Sequence, residues 1–514
     1  MTRLPQLPAE ILLHIVNEVR SNKDLAAFSR SCRTVYILLT QEMLLRREYR
    51  WIRLKSNSDF ERGFDLLLAI LRRPQLGHLV RHLELDRPPA SYCDYRVQNK
   101  DLRHLEDGDL EKLRAAIEKA GFAGKSGENI LNMVLQPYKF ESSYMPASRE
   151  NLPAVWVAQA LAALLISVSP YMESMTTSMA YYKFAGLPGS SFTMGELPQF
   201  PLERLLMDTN YNPQEKPWLQ YLQSVELNDT FTNWGPRWPH ETIDFGMLRY
   251  FCKLLSIERV KFDRLYENGF GFTPPSSSNI SRIWIEHSNV HTMCLMYLIN
   301  SCKTLKEFHY STDHLLKPNR AWTSSFNPRT FLKAILGHKT TLEVLDINTD
   351  SDCTYIDMQE IPFDIETIPH EEDERDWDDE EVVGLEELWG RSGSLSDFSS
   401  LTHLSIGVSV FFYLARGSQS MDTDDPTKII PFDQVVLADA LPPSLESLCL
   451  RGYREGVRLD FDESITRFLA EKDAKLPNLQ KVTGIKEFVA SVVVDPPYNE
   501  ELLLESDEED WTED

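Results

Sequence analysis

The sequence predicts an α/β protein: a short helical hairpin, then a long body of repeated strand-and-helix units broken by insertions. Three observations carry that prediction. Two apolar stripes at helical spacing occupy the first fifty residues, and a six-residue apolar pattern recurs between Val80 and Leu450. Apolar residues make up 42% of the 514, and most of the formal charge of −25 sits in two runs, leaving a mildly acidic body with ample core material.

The hairpin comes first. Pro8 suits the first turn of a helix, where its missing N–H costs nothing, and Ile11, Ile15 and Val19 follow as one apolar stripe. Asp24 is placed to cap a second helix, on which Leu25, Phe28, Cys32 and Tyr36 repeat the arrangement. Two helices this short cannot bury both stripes between themselves, so the rest of the chain or another protein must cover them. The cluster from Arg46 to Lys55 (RREYRWIRLK) reads as a solvated helix face, opening a helical linker over 51–77.

From Val80 onward the returning pattern is an apolar residue, two others, an apolar, one other and an apolar. It gives Val80/Leu83/Leu85, Leu202/Leu205/Met207, Leu222/Val225/Leu227, Ile257/Val260/Phe262, Ile280/Ile283/Ile285, Leu305/Phe308/Tyr310, Leu342/Leu345/Ile347, Leu401/Leu404/Ile406 and Leu445/Leu448/Leu450. Weaker echoes lie at Met172/Met175 and Leu479/Val482. Turn chemistry before several of them, as in Pro442-Pro443-Ser444 and Pro477-Asn478, requires each strand to be approached from a bend. One such strand cannot bury its apolar side, whereas a parallel stack with helices on one face can. The helices expected on that face are Leu110 to Ala120, Val155 to Val168, Phe245 to Leu255, Met293 to Ser301, Phe331 to Leu336 and Ile465 to Ala470. Spacings of 20, 23 and 25 residues alternate with intervals up to 92, so the array is irregular. Segments 86–105, 181–200, 265–279, 311–328, 349–398 and 415–430 are the expected insertions, the longest of them expected to be mobile. The resulting division is a hairpin over 1–50, the linker over 51–77, the repeat body over 78–490 and an acidic tail over 491–514.

Leu7, Pro8, Glu10, Ile11, Ile15, Leu25, Phe28, Cys32, Arg33 and Tyr36, taken in order, resemble the F-box, the motif that docks on the Skp adaptor of cullin-RING ubiquitin ligases. The body resembles an irregular leucine-rich-repeat solenoid with long insertions. The combination is similar to the F-box/leucine-rich-repeat class of substrate receptors, and together the two segments cover most of the chain. The resemblance implies that Leu7, Pro8, Ile11, Ile15, Leu25, Phe28, Cys32 and Tyr36 bind the Skp adaptor. It implies that the repeats hold a client protein, and that ubiquitin transfer happens elsewhere in an SCF-type assembly. Such a chain acts by proximity, raising the effective concentration of client and transferase to the ~mM range. An F-box scaffold without a ubiquitination role fits the same residues.

Chemistry of other kinds finds little support. No G-x-S-x-G elbow, phosphate loop, H-E-x-x-H or dinucleotide-binding glycine fingerprint occurs, so no enzyme activity, metal or cofactor is expected. His287, His291, Cys294 and Cys302 form the one His/Cys cluster, and its apolar helical setting points to packed thiols. An enzyme site assembled from scattered residues would need a pocket of convergent titratable groups. Residues 371–381 hold nine acids and one Arg, residues 500–514 nine acids and no base, and no basic stripe appears that would bind nucleic acid. The acidic surroundings of Ser506 read as a solubilising tail. Ala154 to Val168 is too short and too interrupted, by Gln159, to span a bilayer, and nothing at the N-terminus resembles a secretion signal. A cytoplasmic or nuclear protein with scattered free thiols, no membrane segment and no disulfide framework is expected.

The side chain between the last two apolar positions of each strand, and the one just after, point away from the buried side. That rule gives an inner row of Glu84, Glu226, Lys261, Trp284, His309, Asp346 and Ser405, with Asp86, Asn228, Asp263, Glu286 and Asn348 beside it. Glu226, Lys261, Trp284, His309 and Asp346 are the expected client contacts, Trp284 as an aromatic anchor. The acids in the row suggest a neutral to basic client.

Overall fold

A computed structural model of the chain describes residues 7–8, 11–12, 15–16, 19, 22–37, 45, 48–54, 57–85, 103, 105–137, 152–178, 201–228, 245–263, 265, 274–288, 290, 292–312, 326–349, 390–420 and 430–491. The acidic run 371–381, the Asp-rich 421–428, the tail from 492 and most of the expected insertions lie outside them, as do Glu10 and His291. The described chain divides into two compact units, Met1–Asp263 and Arg264–Asp514.

The first unit opens on the hairpin. Ile11 and Leu12 donate their backbone N–H groups to the Pro8 carbonyl, which starts a helical stretch, and α1 (Asn22–Ser29) follows. Asp24 sits inside the first turn of α1 and not ahead of it. A last helical turn covers residues 33–37. Leu12, Val16, Leu25 and Val35 bury one another, with Leu7, Val19, Phe28 and Cys32 packed at the edge. The buried stripe of the first helix is therefore Leu12 and Val16. Ile11, one residue earlier and so about 100° around the helix, is 47% exposed.

Residues 51–77 are helical from Asn57 onward, but they open on a strand, so Trp51 is not on a helix. β1 (Trp51–Leu54) is a strand with alternating exposure, followed by α2 (Asn57–Arg72). The alternation of Ile52 and Leu54, buried, with Trp51 and Arg53, exposed, is a period of two, which the flanking arginines obscured. On α2, Phe60, Phe64, Leu67 and Leu68 make a stripe of helical period, all buried. β2 (His82–Leu85) pairs parallel with β1, Ile52 opposite Leu83 and Leu54 opposite Leu85.

Three helices intervene: α3 (Asp109–Lys119), α4 (Gly124–Val134) and α5 (Leu152–Ser167). Arg72, ending α2, donates to both Asp109 carboxylate oxygens at 2.6 and 3.2 Å, fixing the start of α3. α5 is apolar all round and Val157 to Ile166 are essentially sealed, because α2, α3, α4 and α6 (Pro201–Tyr211) enclose it. α6 corrects the strand expected at Leu202. Pro201 occupies the first helical position, and Leu202, Leu205, Leu206 and Thr209 are buried at spacings of three and four.

β3 (Ser174–Ser178), β4 (Ser224–Asn228) and β5 (Arg259–Asp263) complete the first unit's strands. Each pairs parallel with its predecessor in sequence, in the order β1-β2-β3-β4-β5. Phe245–Tyr250 is a 3-10 turn rather than the longer helix expected there, with Phe245 edge-on to Phe262 at 5.6 Å.

The second unit repeats the plan with β6 (Arg282–Glu286), α7 (Thr292–Ser301), β7 (Glu307–Ser311), α8 (Pro328–Ile335) and β8 (Val344–Asn348). It continues with β9 (His403–Gly407), α9 (Val408–Ser420), β10 (Ser447–Arg451), α10 (Leu459–Lys475) and β11 (Lys481–Thr483). All pairings between neighbours from β6 to β11 are parallel. α8 is capped as its sequence requires, the Asn327 side chain accepting from Arg329 N and Thr330 N ahead of Pro328. Segment 415–420 belongs to α9 and not to an insertion.

Register explains the pattern read from the sequence. Core positions stand opposite core positions: Ile283–Phe308, Phe308–Leu345, Leu345–Leu404 and Leu404–Leu448 in the second unit, Met175–Val225 and Val225–Val260 in the first. Within each unit the residue ahead of every strand after the first also ties to the preceding repeat, as Glu343 N to Lys306 O at 2.7 Å, Thr402 N to Glu343 O at 3.0 Å and Glu446 N to Thr402 O at 2.8 Å. Backbone donors that a bend would leave bare are thereby used.

Candidate functional sites

Two places in the described chain gather side chains that a core does not need. The first is the outside of the hairpin. Its cluster of Leu12, Val16, Leu25 and Val35 gives it an interior, yet Ile11, Tyr36 (61% exposed) and Ile37 (59%) stand outside that interior. Ile15 is half-buried, Pro8 is exposed, and Leu7, Phe28 and Cys32 sit half-buried at the cluster's rim. Leu25, by contrast, is 1% exposed and faces inward, so its contribution is to hold the hairpin together. Ile37 was missed by reading one residue per turn; its neighbour Val35 points inward and Ile37 outward.

The second place is the face of the strands opposite the buried one. In the second unit the expected row forms by register: Trp284 opposite His309, His309 opposite Asp346, Asp346 opposite Ser405, and Ser405 opposite Cys449. Contacts link most of it. The Trp284 ring lies flat on His309, centroids 5.0 Å apart and planes 13° from parallel. His309 Nδ1 is 3.8 Å from Asp346 Oδ2, a polar contact slightly beyond hydrogen-bond reach. Arg451, two places along β10 from Cys449, donates through Nη2 to the Asp346 carboxylate at 3.0 Å and through Nε to Ser405 Oγ at 2.9 Å. Burial pushes the Asp346 carboxyl up, but His309, the Arg451 charge and Ser405 outweigh it and hold its pKa below the ordinary value. Asp346 is thus a fixed anion, and Arg451 takes the outward place just after the last apolar position, Leu450, a position the alternation covers although Arg451 was not among the expected client contacts.

The first unit has a smaller counterpart. Glu84, Thr176, Glu226 and Lys261 share one register row, with Lys261 Nζ 3.7 Å from Glu226. At its β1 end Trp51 leans on the His82 ring at 4.7 Å and donates its indole N–H to Glu84 at 3.0 Å, while Arg53 also pairs with Glu84 at 3.0 Å. His82 contacts Ser174 Oγ at 2.6 Å through Nδ1, and burial, then Arg50 and Arg81, lower its pKa. Glu226 and Lys261 therefore share a row with Glu84, whereas Trp284, His309 and Asp346 form a row of the second unit.

Elsewhere, a groove beside α3 and α4 is lined by Ile117, Phe122 and Leu131 with Arg114, Glu118 and Glu128, and offers no nucleophile. Cys294 and Cys302 are buried free thiols. Among the described residues no group of His, Cys, Asp and Glu is arranged to hold a metal ion, and no helix is long and apolar enough to cross a membrane. Compared with protein-family models, curated proteins and solved structures, the chain finds no match.

Proposed function

We propose that this chain is the substrate-recognition subunit of an SCF-type ubiquitin ligase, an F-box hairpin over 1–50 joined to an irregular leucine-rich-repeat body. The observation that carries the reading is the hairpin's division of labour. Leu12, Val16, Leu25 and Val35 satisfy its interior, and Ile11, Tyr36 and Ile37 remain outside it as large apolar groups. Exposed apolar residues grouped on a small element mark a protein contact. In this reading the Skp adaptor covers Ile11, Ile15, Tyr36 and Ile37, and Leu25 supports them from within.

The repeat body then holds a client, while the hairpin holds the adaptor. No bond is made or broken by this chain; the rate gain comes from proximity, with a transferase elsewhere in the assembly acting on the client. The site residues support a binding role, since the linked row of the second unit combines a stacked Trp with a fixed ion pair and contains no activated nucleophile.

Co-expression of the full chain with the Skp adaptor and cullin, followed by affinity purification, tests this. Recovery of both, and loss of both on deleting residues 1–50, is the expected result. Recovery of the adaptor without cullin would favour the scaffold reading.

A further inference from the structure

The acids of the strand faces do not stand alone. Arg53 holds Glu84 at 3.0 Å, Lys261 holds Glu226 at 3.7 Å, Arg282 holds Glu307 at 3.3 Å and Arg451 holds Asp346 at 3.0 Å. In each case the cation comes from a different strand. The excess of acid seen at one position per strand is therefore neutralised by bases at that position or its neighbours. Of the neutral to basic client expected from the row, this pairing favours the neutral end. A basic segment would gain Asp346 only by displacing Arg451, and an acidic one would gain Arg451 only by displacing Asp346, so either exchange leaves a half-buried charge unpaired.

We infer that the strand face of the second unit takes an uncharged client segment bearing an aromatic side chain, which packs beside the Trp284–His309 stack, and that Asp346 and Arg451 are positioning residues for that stack. The inference rests on the receptor reading for its client. Its chemistry follows from the row itself. Trp284 lies nearly parallel to His309, His309 Nδ1 stands 3.8 Å from the Asp346 carboxylate, and Asp346 is clamped by Arg451, which Ser405 orients in turn. Each link removes freedom that an aromatic anchor would otherwise lose on binding, which is how preorganisation raises affinity. Aromatic rings add to such a stack in offset or edge-on geometry without needing charge.

The test is selection from a random dodecapeptide phage library on the full chain and on three variants: Trp284→Ala, Asp346→Asn and Arg451→Met. The wild type is expected to enrich peptides of net charge near zero containing Trp, Tyr or Phe. Their synthetic forms should change Kd by less than about twofold between about 50 and about 500 mM salt, because no unpaired charge is engaged. Trp284→Ala should weaken those peptides by at least about tenfold, the range of a binding anchor. Asp346→Asn frees Arg451 and should shift selection toward acidic peptides; Arg451→Met frees Asp346 and should shift it toward basic ones. A merely structural role for the pair would weaken binding without reversing the preferred charge. Should Trp284→Ala fail to fold, Trp284→Phe keeps a ring and is expected to bind the same peptides more weakly. Strongly charged peptides selected by the wild type, no enrichment at all, or identical selection by every variant would overturn the inference. Skp adaptor binding measured on the same preparations separates the two claims: its loss with peptide selection intact removes the receptor reading alone.

Discussion

Arg451 reaches past β9 to set its guanidinium 3.0 Å from Asp346 on β8, with Ser405 of the intervening strand accepting from Nε at 2.9 Å. One side chain thereby cross-braces three strands that the backbone ladder joins only pairwise. Asp346 and Arg451 are 26% and 20% exposed at their side chains, so solvent screens the pair in part.

Removing one member should cost less than the several kcal/mol of a fully buried pair. Arg451→Met is expected to destabilise the fold by about 1–2 kcal/mol in urea unfolding. The double variant Asp346→Asn/Arg451→Met should be less destabilised than the sum of the two single changes, since neither charge is then stranded. Additive losses would show that the two side chains do not act as a pair.

His338 gives the fold a pH limit. Its Nδ1 accepts from Leu305 N–H at 3.3 Å while Nε2 faces the Ile299 carbonyl at 3.0 Å, an arrangement that only the neutral ring satisfies on both sides. Burial lowers its pKa, the Ile299 contact partly opposes this, and Arg391 adds to the lowering. A base whose folded pKa lies below its unfolded value near 6.5 stabilises fully above that value. The contribution is lost as pH falls from about 6.5 through the folded pKa. Urea midpoints taken at about pH 7.5 and about pH 5.5 should differ less for His338→Gln than for the wild type.

Much of this architecture was legible because a strand buried on one side forces a period of two, and eight of the nine strong repeats fall on strands. Leu202 misled because Leu202, Leu205 and Met207 satisfy the strand pattern while Leu202, Leu205 and Leu206 satisfy the helical one, and Pro201 decides between them. β1 was hidden for the opposite reason: four residues hold only two buried positions, Ile52 and Leu54, among arginines. At the hairpin, spacing alone chose Ile11 and Ile15 as the stripe. The adjacent Leu12 and Val16 have the same spacing, and which face turns inward depends on Leu25 and Val35 from the next helices. On the strand face the row itself was readable from alternation. Of its cations Lys261 was readable with the row, whereas the Arg451–Asp346 pair was not, because Arg451 acts from two strands away.

Gly484 closes the last strand by necessity. Its φ of +83° is one that side chains rarely adopt, and an added Cβ would lie 1.8 Å from the Leu450 carbonyl oxygen. Gly484→Ala should displace β11 from β10 and lower stability by at least about 2 kcal/mol, read by thermal unfolding. An unchanged midpoint would mean that β11 contributes little to the second unit.

Within the hairpin, support and contact separate by substitution. Leu25→Ala empties the internal cluster and should cost about 2–4 kcal/mol of local stability, seen as faster amide exchange over residues 22–37. Ile11→Asp alters an exposed position and should leave that exchange unchanged.

Docking of the Skp adaptor on the hairpin is read by titrating purified full chain with the adaptor by calorimetry, wild type against Ile11→Asp/Tyr36→Asp. A saturable complex is expected for the wild type, and at least about a hundredfold weaker binding for the variant, whose fold is intact by circular dichroism. No heat of binding from the wild type, or equal affinity for both proteins, would contradict that docking.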